Sequence, residues 1–112
     1  MAVDAGGNIL GFDWRDLQGL GAVSVYPRSS TVEAISALRV VGAPYRFAHA
    51  RARVECALQN KVPTGQYRAV GAPIGCAVTE RLVEKAARAR GEDPWAFRAR
   101  NLLRAEEMPT VN

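Results

Sequence analysis

Glycine and proline cut this chain into short pieces, and that punctuation limits what it can fold into more than any other feature. Breakers stand at Gly6-Gly7, at Gly19, Gly21 and Pro27, at Gly42 and Pro44, from Pro63 to Pro73, and from Gly91 to Pro94. Proline lacks the backbone donor and glycine loses the most freedom on ordering, so both tend to end helices and strands. The pieces between them suit single helices and strands, and none offers the roughly 18 apolar residues of a membrane span.

Each piece has its own period. Ala2-Val3-Asp4, then Gly6-Gly7-Asn8, then Ile9 to Trp14 reads as strand, tight turn and strand, which predicts a β-hairpin. Ser30 or Thr31 can cap a helix with Glu33 in its first turn. Val32, Ile35 and Leu38 make that helix's apolar face, and Gly42 and Pro44 stop it. Between Arg51 and Leu58 the apolar Ala52, Val54, Cys56 and Leu58 alternate with Arg51, Arg53 and Glu55, predicting a strand with one packed and one wet face. Pro73 suits the first turn of a second helix, whose buried stripe is Cys76, Thr79, Val83, Ala86 and Ala87. Gly91 closes it, and Asp93-Pro94 opens a third helix running to about Arg104, with Glu106 to Pro109 as a frayed tail. The expected fold is α+β: a small antiparallel sheet, made of the hairpin plus a further strand, packed with about three helices. It is read as a single domain over residues 1–112.

Composition narrows the function classes. Apolar residues make up 48% and charged residues 23%, a globular balance. Fifteen cations against eleven acids leave +4, but the cations are scattered from Arg15 to Arg104 and basic arms interleaved with aromatics are absent, so a nucleic-acid partner is not expected. Cys56, Cys76 and the lone His49 do not form a metal-ligand spacing, so no metal ligand is assigned and both cysteines are read as buried reduced thiols. Gly19-Leu20-Gly21 lacks the rest of a phosphate loop. With neither a secretory start nor a membrane span, the expected location is the cytoplasm.

The stretch Pro63-Thr64-Gly65-Gln66-Tyr67-Arg68-Ala69-Val70-Gly71-Ala72-Pro73 is where composition suggests a site. Glycines admit close backbone approach, and amides just before a helix face an anion or polar oxygen. On the residues alone two readings stand: a ligand loop, or a strand-to-helix connector with Arg68 paired to a carboxylate.

The pattern Asn60-Lys61-Val62-Pro63-Thr64-Gly65-Gln66-Tyr67-Arg68, Gly71 and Pro73, followed by Glu80-Arg81-Leu82-Val83, Ala86-Ala87, Gly91 to Pro94, Arg98 and Asn101-Leu102, resembles the molybdopterin-binding large subunit of the xanthine dehydrogenase and aldehyde oxidase family, the molybdenum hydroxylases. Gly21-Ala22, Tyr26-Pro27 and Gly42-Ala43-Pro44-Tyr45 fit the same family in the same order. The resemblance implies an oxidoreductase that hydroxylates aldehydes or N-heterocycles with water as the oxygen source, through molybdenum on a pterin dithiolene and with no side-chain ligand to the metal. It implies Tyr67, Arg68 and Gly71 as cofactor-binding residues, and Arg68, Ala69, Val70 and Ser36 as walls of the substrate pocket. Ser36 stands where xanthine-type enzymes carry an orienting arginine, Val70 where they carry a phenylalanine, and Ala69 where carbon monoxide dehydrogenases carry a cysteine. An aldehyde or small-aromatic substrate is left by elimination.

No catalytic residue is carried over, because neither Glu106 nor Glu107 has the family's context for its general base. The chain is therefore read as a fragment or split component of such an enzyme, inactive alone, whose partners are the remaining large-subunit segments and the FAD and iron-sulfur subunits. The alternative is a non-catalytic remnant acting as a homo- or hetero-oligomeric interaction domain.

Overall fold

The computed structural model describes residues 1–109. Strand β1 (Ala2–Val3) turns into β2 (Ile9–Leu20), helix α1 (Val32–Val40) follows, and then β3 (His49–Leu58), α2 (Ala72–Ala89), α3 (Pro94–Asn101) and a 3₁₀ turn at Ala105–Glu107. The α+β class is as expected, but the sheet is mixed. β1 and β2 are the antiparallel hairpin, whereas β3 lies parallel to β2 in the order β1-β2-β3. The connection through α1 carries the chain back to the starting end of the sheet, which is the condition for a parallel neighbour.

The hairpin turn is built from its own side chains. Asp4 Oδ1 accepts from the Asn8 amide at 2.8 Å, and Asn8 Nδ2 donates to Asp4 Oδ2 at 3.0 Å, with Gly7 at φ 86°. Arginines from the far end of the chain hold the turn's carbonyls. Arg90 donates to Asp4 O and Ala5 O, Arg100 donates to Gly6 O, and Glu92 pairs with both guanidiniums at 2.6 and 2.9 Å.

Asn101 joins the pieces. Its buried Oδ1 accepts from the Ile9 amide at 2.8 Å, its Nδ2 donates to Gly7 O and Phe97 O at 2.9 Å each, and its own carbonyl accepts from the Arg46 amide. Around it Ile9, Phe12, Tyr45, Val83, Ala87 and Phe97 form the core. Tyr45 Oη donates to Glu80 at 2.6 Å. Arg98 bridges Glu80 and Glu84 at 2.9 and 3.1 Å, locking α3 to α2.

Helix packing departs from the expected apolar faces. α1 buries Ala34 and Ala37 and leaves Ile35 and Leu38 exposed; α2 buries Gly75, Thr79, Val83 and Ala87, one residue per turn, and leaves Cys76 exposed. The reason is close approach. A Cβ on Gly75 would meet Val40 Cγ2 at 2.5 Å and Ala37 O at 2.6 Å, so small residues alone fit the seam and larger ones turn outward. Cys56 is exposed as well, because β3 lies almost entirely open on both faces.

α3 opens as expected, with Asp93 Oδ2 accepting from the Ala96 amide at 2.9 Å. It ends three residues early, at Asn101, because Leu102 bridges to Tyr45 and the Leu103 amide donates to Pro44 O. Glu107 is no frayed tail: it accepts from the Arg104 amide at 2.7 Å and pairs with Arg46 at 3.1 Å.

Two tests follow from these contacts. Asn101→Leu leaves the Ile9 amide and the Gly7 carbonyl without their buried partner, and should cost about 2–4 kcal/mol in urea unfolding at one to two such groups lost. A loss under about 0.5 kcal/mol, the range of ordinary surface changes, would refute the clamp. Acid should also destabilise the fold. Asn8 holds Asp4 below the usual carboxylate range, Arg51 does so for Asp13, Arg88 and Arg98 for Glu84, Arg90 and Arg100 for Glu92, and the Arg104 amide with Arg46 for Glu107. Groups lowered in the fold stabilise it fully above their ordinary values of 3.8 and 4.5, and that stability is lost as pH falls below them. Melting temperature should be level down to about pH 5 and then fall; a level profile through that acid range would contradict the pairing.

Candidate functional site

The 13-residue connection from Gln59 to Gly71 leads from the end of β3 to the start of α2. Its first half is pinned to the loop between β2 and α1. Pro63 rests against Gly21, where any Cβ would collide with the proline ring nitrogen and Cα. Ser30, buried, donates from Oγ to Thr64 O at 2.9 Å and accepts from the Val25 amide at 3.2 Å, and Gln66 Nε2 donates to Ser29 O at 3.2 Å. Ser30 is therefore an anchor of this loop and not a helix cap. Thr31 holds the cap position of α1 without a side-chain capping bond.

The second half turns sharply. Ala69 sits in the left-handed region at φ 62°, and Gly71, the residue before α2, sits there at φ 75°. The Ala72 amide donates back to Ala69 O, and the Ile74 and Gly75 amides both donate to Gly71 O. Gly71 is pressed onto α1 so closely that a Cβ would collide with Glu33 O. The loop's exit is thus fixed by backbone contact with α1, at the turn of that helix that contains Ser36.

The structure brings Tyr67, Arg68, Ala69, Val70 and Gly71 together at the N-terminal end of the 18-residue α2. Tyr67 is 85% exposed, Arg68 and Ala69 are also exposed, and Arg68 makes no ion pair among the described residues. The connector reading, which required a carboxylate for Arg68, lacks that partner. Ser36 is half-buried on α1, and no hydrogen bond joins it to the loop among the described residues.

Thr64 was not singled out in the sequence. Its Oγ1 is buried and has no hydrogen-bond partner. A threonine beside proline and glycine gives no local signal, because its burial comes from Ser30 and Gly21, more than thirty residues away in the chain. The α2 N-terminus has no acidic residue in its first turn, so its amide dipoles and Arg68 give this corner a positive field. The donors here suit an electron-rich, oxygen-bearing group. Among the described residues no helix is long and apolar enough to cross a membrane, and no group of three His, Cys, Asp or Glu side chains could hold a metal ion.

Comparison with known proteins places the chain in a family. Residues 1–102 match the family described as molybdopterin cofactor-binding domain. The chain is 34% identical over 111 residues to the 6-hydroxypseudooxynicotine dehydrogenase complex subunit gamma of Paenarthrobacter nicotinovorans, covering 97% of this chain and 14% of that protein. Quinoline 2-oxidoreductase from Pseudomonas putida 86 superposes with a TM-score of 0.88 at 30% identity, over 95% of this chain and 14% of that one. The aldehyde oxidoreductase of Desulfovibrio desulfuricans ATCC 27774 superposes at 0.77 with 26% identity, over 90% and 11%. The chain spans about one seventh of the length of such relatives.

Three substitutions separate loop geometry from loop chemistry. Arg68→Ala should leave unfolding free energy within about 0.5 kcal/mol, as for other unpartnered surface groups. Ala69→Gly should add about 1 kcal/mol by relieving the left-handed alanine, and Gly71→Ala should remove about 2–3 kcal/mol or more. Urea denaturation of the three variants checks the order; an Arg68→Ala loss as large as that of Gly71→Ala would return Arg68 to a structural role.

Proposed function

Because the chain belongs to the molybdopterin cofactor-binding domain family, we propose that it supplies one wall of the cofactor and substrate pocket of a molybdenum hydroxylase large subunit. The observation that carries this reading is the unpartnered Arg68 on a loop whose shape is fixed from both ends, by Pro63 on Gly21 and by Gly71 on α1. An exposed cation with no ion-pair partner among the described residues, held on a constrained backbone, is available to a group outside this chain.

Tyr67, Arg68 and Gly71 would hold the molybdopterin group, which when bound supplies metal-centred oxidation of a carbon with water as the oxygen source. Gly71 permits close backbone approach, and Arg68 offers donors and charge toward oxygen that gains negative character. Ala69, Val70 and Ser36 line the substrate side. Val70 and Ser36 offer neither the stacking ring nor the cation that xanthine-type enzymes carry at these places, which favours an aldehyde or a small aromatic over a purine. The names of the relatives, a hydroxypseudooxynicotine dehydrogenase and a quinoline oxidoreductase, support the heteroaromatic class. The remaining large-subunit segments complete the pocket, with FAD and iron-sulfur subunits as the electron path.

The test uses the assembled, molybdenum-loaded complex containing this chain. Arg68→Ala should lower turnover per bound molybdenum by about 10²–10³, the usual effect of removing one charge-stabilising donor at a reacting centre. Unchanged turnover per metal would remove Arg68 from the site.

A further inference from the structure

Three contacts pin the loop just ahead of Arg68, and all three come from the connection between β2 and α1. Pro63 lies against Gly21, Thr64 O accepts from Ser30 Oγ at 2.9 Å, and Gln66 Nε2 donates to Ser29 O at 3.2 Å. Ser30 is the centre of this set. It is 3% exposed, its amide donates to Ser24 Oγ at 3.1 Å, and its Oγ accepts from the Val25 amide at 3.2 Å. The hydroxyl is thus held by its own segment, and its one proton goes to Thr64 O.

Beyond Gln66 the next fixed point is Gly71, where the backbone meets Glu33 O of α1. Four residues, Tyr67 to Val70, therefore close the span between two held ends. Within that span stands Ala69 at φ 62°, the one non-glycine residue with positive φ among the described residues. A left-handed alanine persists only where the surrounding structure over-determines it. Helix α1 supplies one end of that constraint, and the segment from Gly21 to Ser30 supplies the other.

We propose that Ser30 is a positioning residue for Arg68, a role that rests on Arg68 serving the molybdopterin site. With Gly21 it fixes the upstream end of the loop, keeps Ala69 left-handed and so sets where the guanidinium stands. Without the hydroxyl, Thr64 O loses its partner, and the loop gains by turning that carbonyl toward water. Arg68 lies four residues further on, close enough for a small rotation at Thr64 to displace its side chain. At a reacting centre a displacement of about 1 Å can cost about 10²-fold in rate.

Limited trypsin digestion of the full chain reads the loop without any cofactor. The Arg68–Ala69 bond should be cut about ten-fold faster in Ser30→Ala than in the wild type, since losing one buried hydrogen bond raises the open population by about that factor. Gly21→Ala, which pushes on Pro63 and leaves the Ser30 hydroxyl in place, should do the same. Cutting after Arg81 and Arg88, inside α2, should not change. Equal cutting of Arg68–Ala69 in all three proteins overturns the proposal. So does a matching rise at Arg81 and Arg88, because the contact would then hold the whole fold and not the loop.

The assembled, molybdenum-loaded complex reads the position of Arg68, as turnover per bound molybdenum on whichever of quinoline and benzaldehyde the wild type oxidises faster. Ser30→Ala should lower it about ten-fold, and should lower it no further once Arg68 is alanine, because a residue acting through Arg68 then has nothing to position. A loss that adds in full on the Arg68→Ala background, or no loss from Ser30→Ala, overturns the positioning role and leaves Arg68 in the site. Turnover unchanged by Arg68→Ala removes the reading on which the role rests, and the role with it.

Discussion

The seam between α1 and α2 is the contact on which the arrangement depends. Gly71 and Gly75, four residues apart, let the backbone of α2 lie on that of α1, with Glu33 O, Ala37 O and Val40 filling the space where side chains would stand. Such a contact has almost no freedom to slide, since apart from the Val40 Cγ2 methyl the atoms that meet the two glycines are backbone. It fixes where α2 begins, and so where the loop from Gln59 to Gly71 must end. The left-handed Gly71 is the hinge of this geometry: the chain arrives at α2 only by turning through a conformation that other residues resist.

A second constraint closes the fold from the other side. The Asn101 carboxamide uses its acceptor and both donors on Ile9, Gly7 and Phe97, tying the end of α3 to the first turn of the sheet. A buried amide so fully partnered gives specificity of position, because no apolar side chain of similar size could satisfy the same backbone groups. The arginines Arg90 and Arg100, held by Glu92, add carbonyl contacts on the same turn from outside. Chain start and chain end are thereby one structural unit, although nearly a hundred residues apart.

Between these clamps the molecule leaves two surfaces unfinished, and each is unfinished in its own chemical sense. The loop at Tyr67 to Gly71 presents polar donors without acceptors, which suits an oxygen-rich group. β3 presents backbone and apolar side chains without neighbours, which suits another strand. Their separation follows from topology: β3 ends where the loop begins, so the edge and the loop are successive parts of one excursion from the core.

Local chemistry was legible in the sequence wherever it acts over a few residues. The hairpin turn at Gly6-Gly7-Asn8, the alternation from Arg51 to Leu58, Pro73 in the first turn of α2, Asp93-Pro94 at the start of α3 and the family pattern around Tyr67-Arg68 all come from short-range preference or from a motif at fixed spacing. What sequence alone could not decide was which partner each element meets. Whether Ile35 or Ala34 faces inward depends on how closely α2 approaches, and the glycines that set that distance lie almost forty residues further on. The direction of β3, the exposure of Cys56 and Cys76, the end of α3 at Asn101 and the burial of Thr64 are likewise settled by contacts between distant segments. Periodicity determined that each long helix has an inner side, whereas the packed face it predicted for β3 is open. Tertiary packing decided which side that is, because burial is a property of two surfaces and the sequence of one element describes only its own.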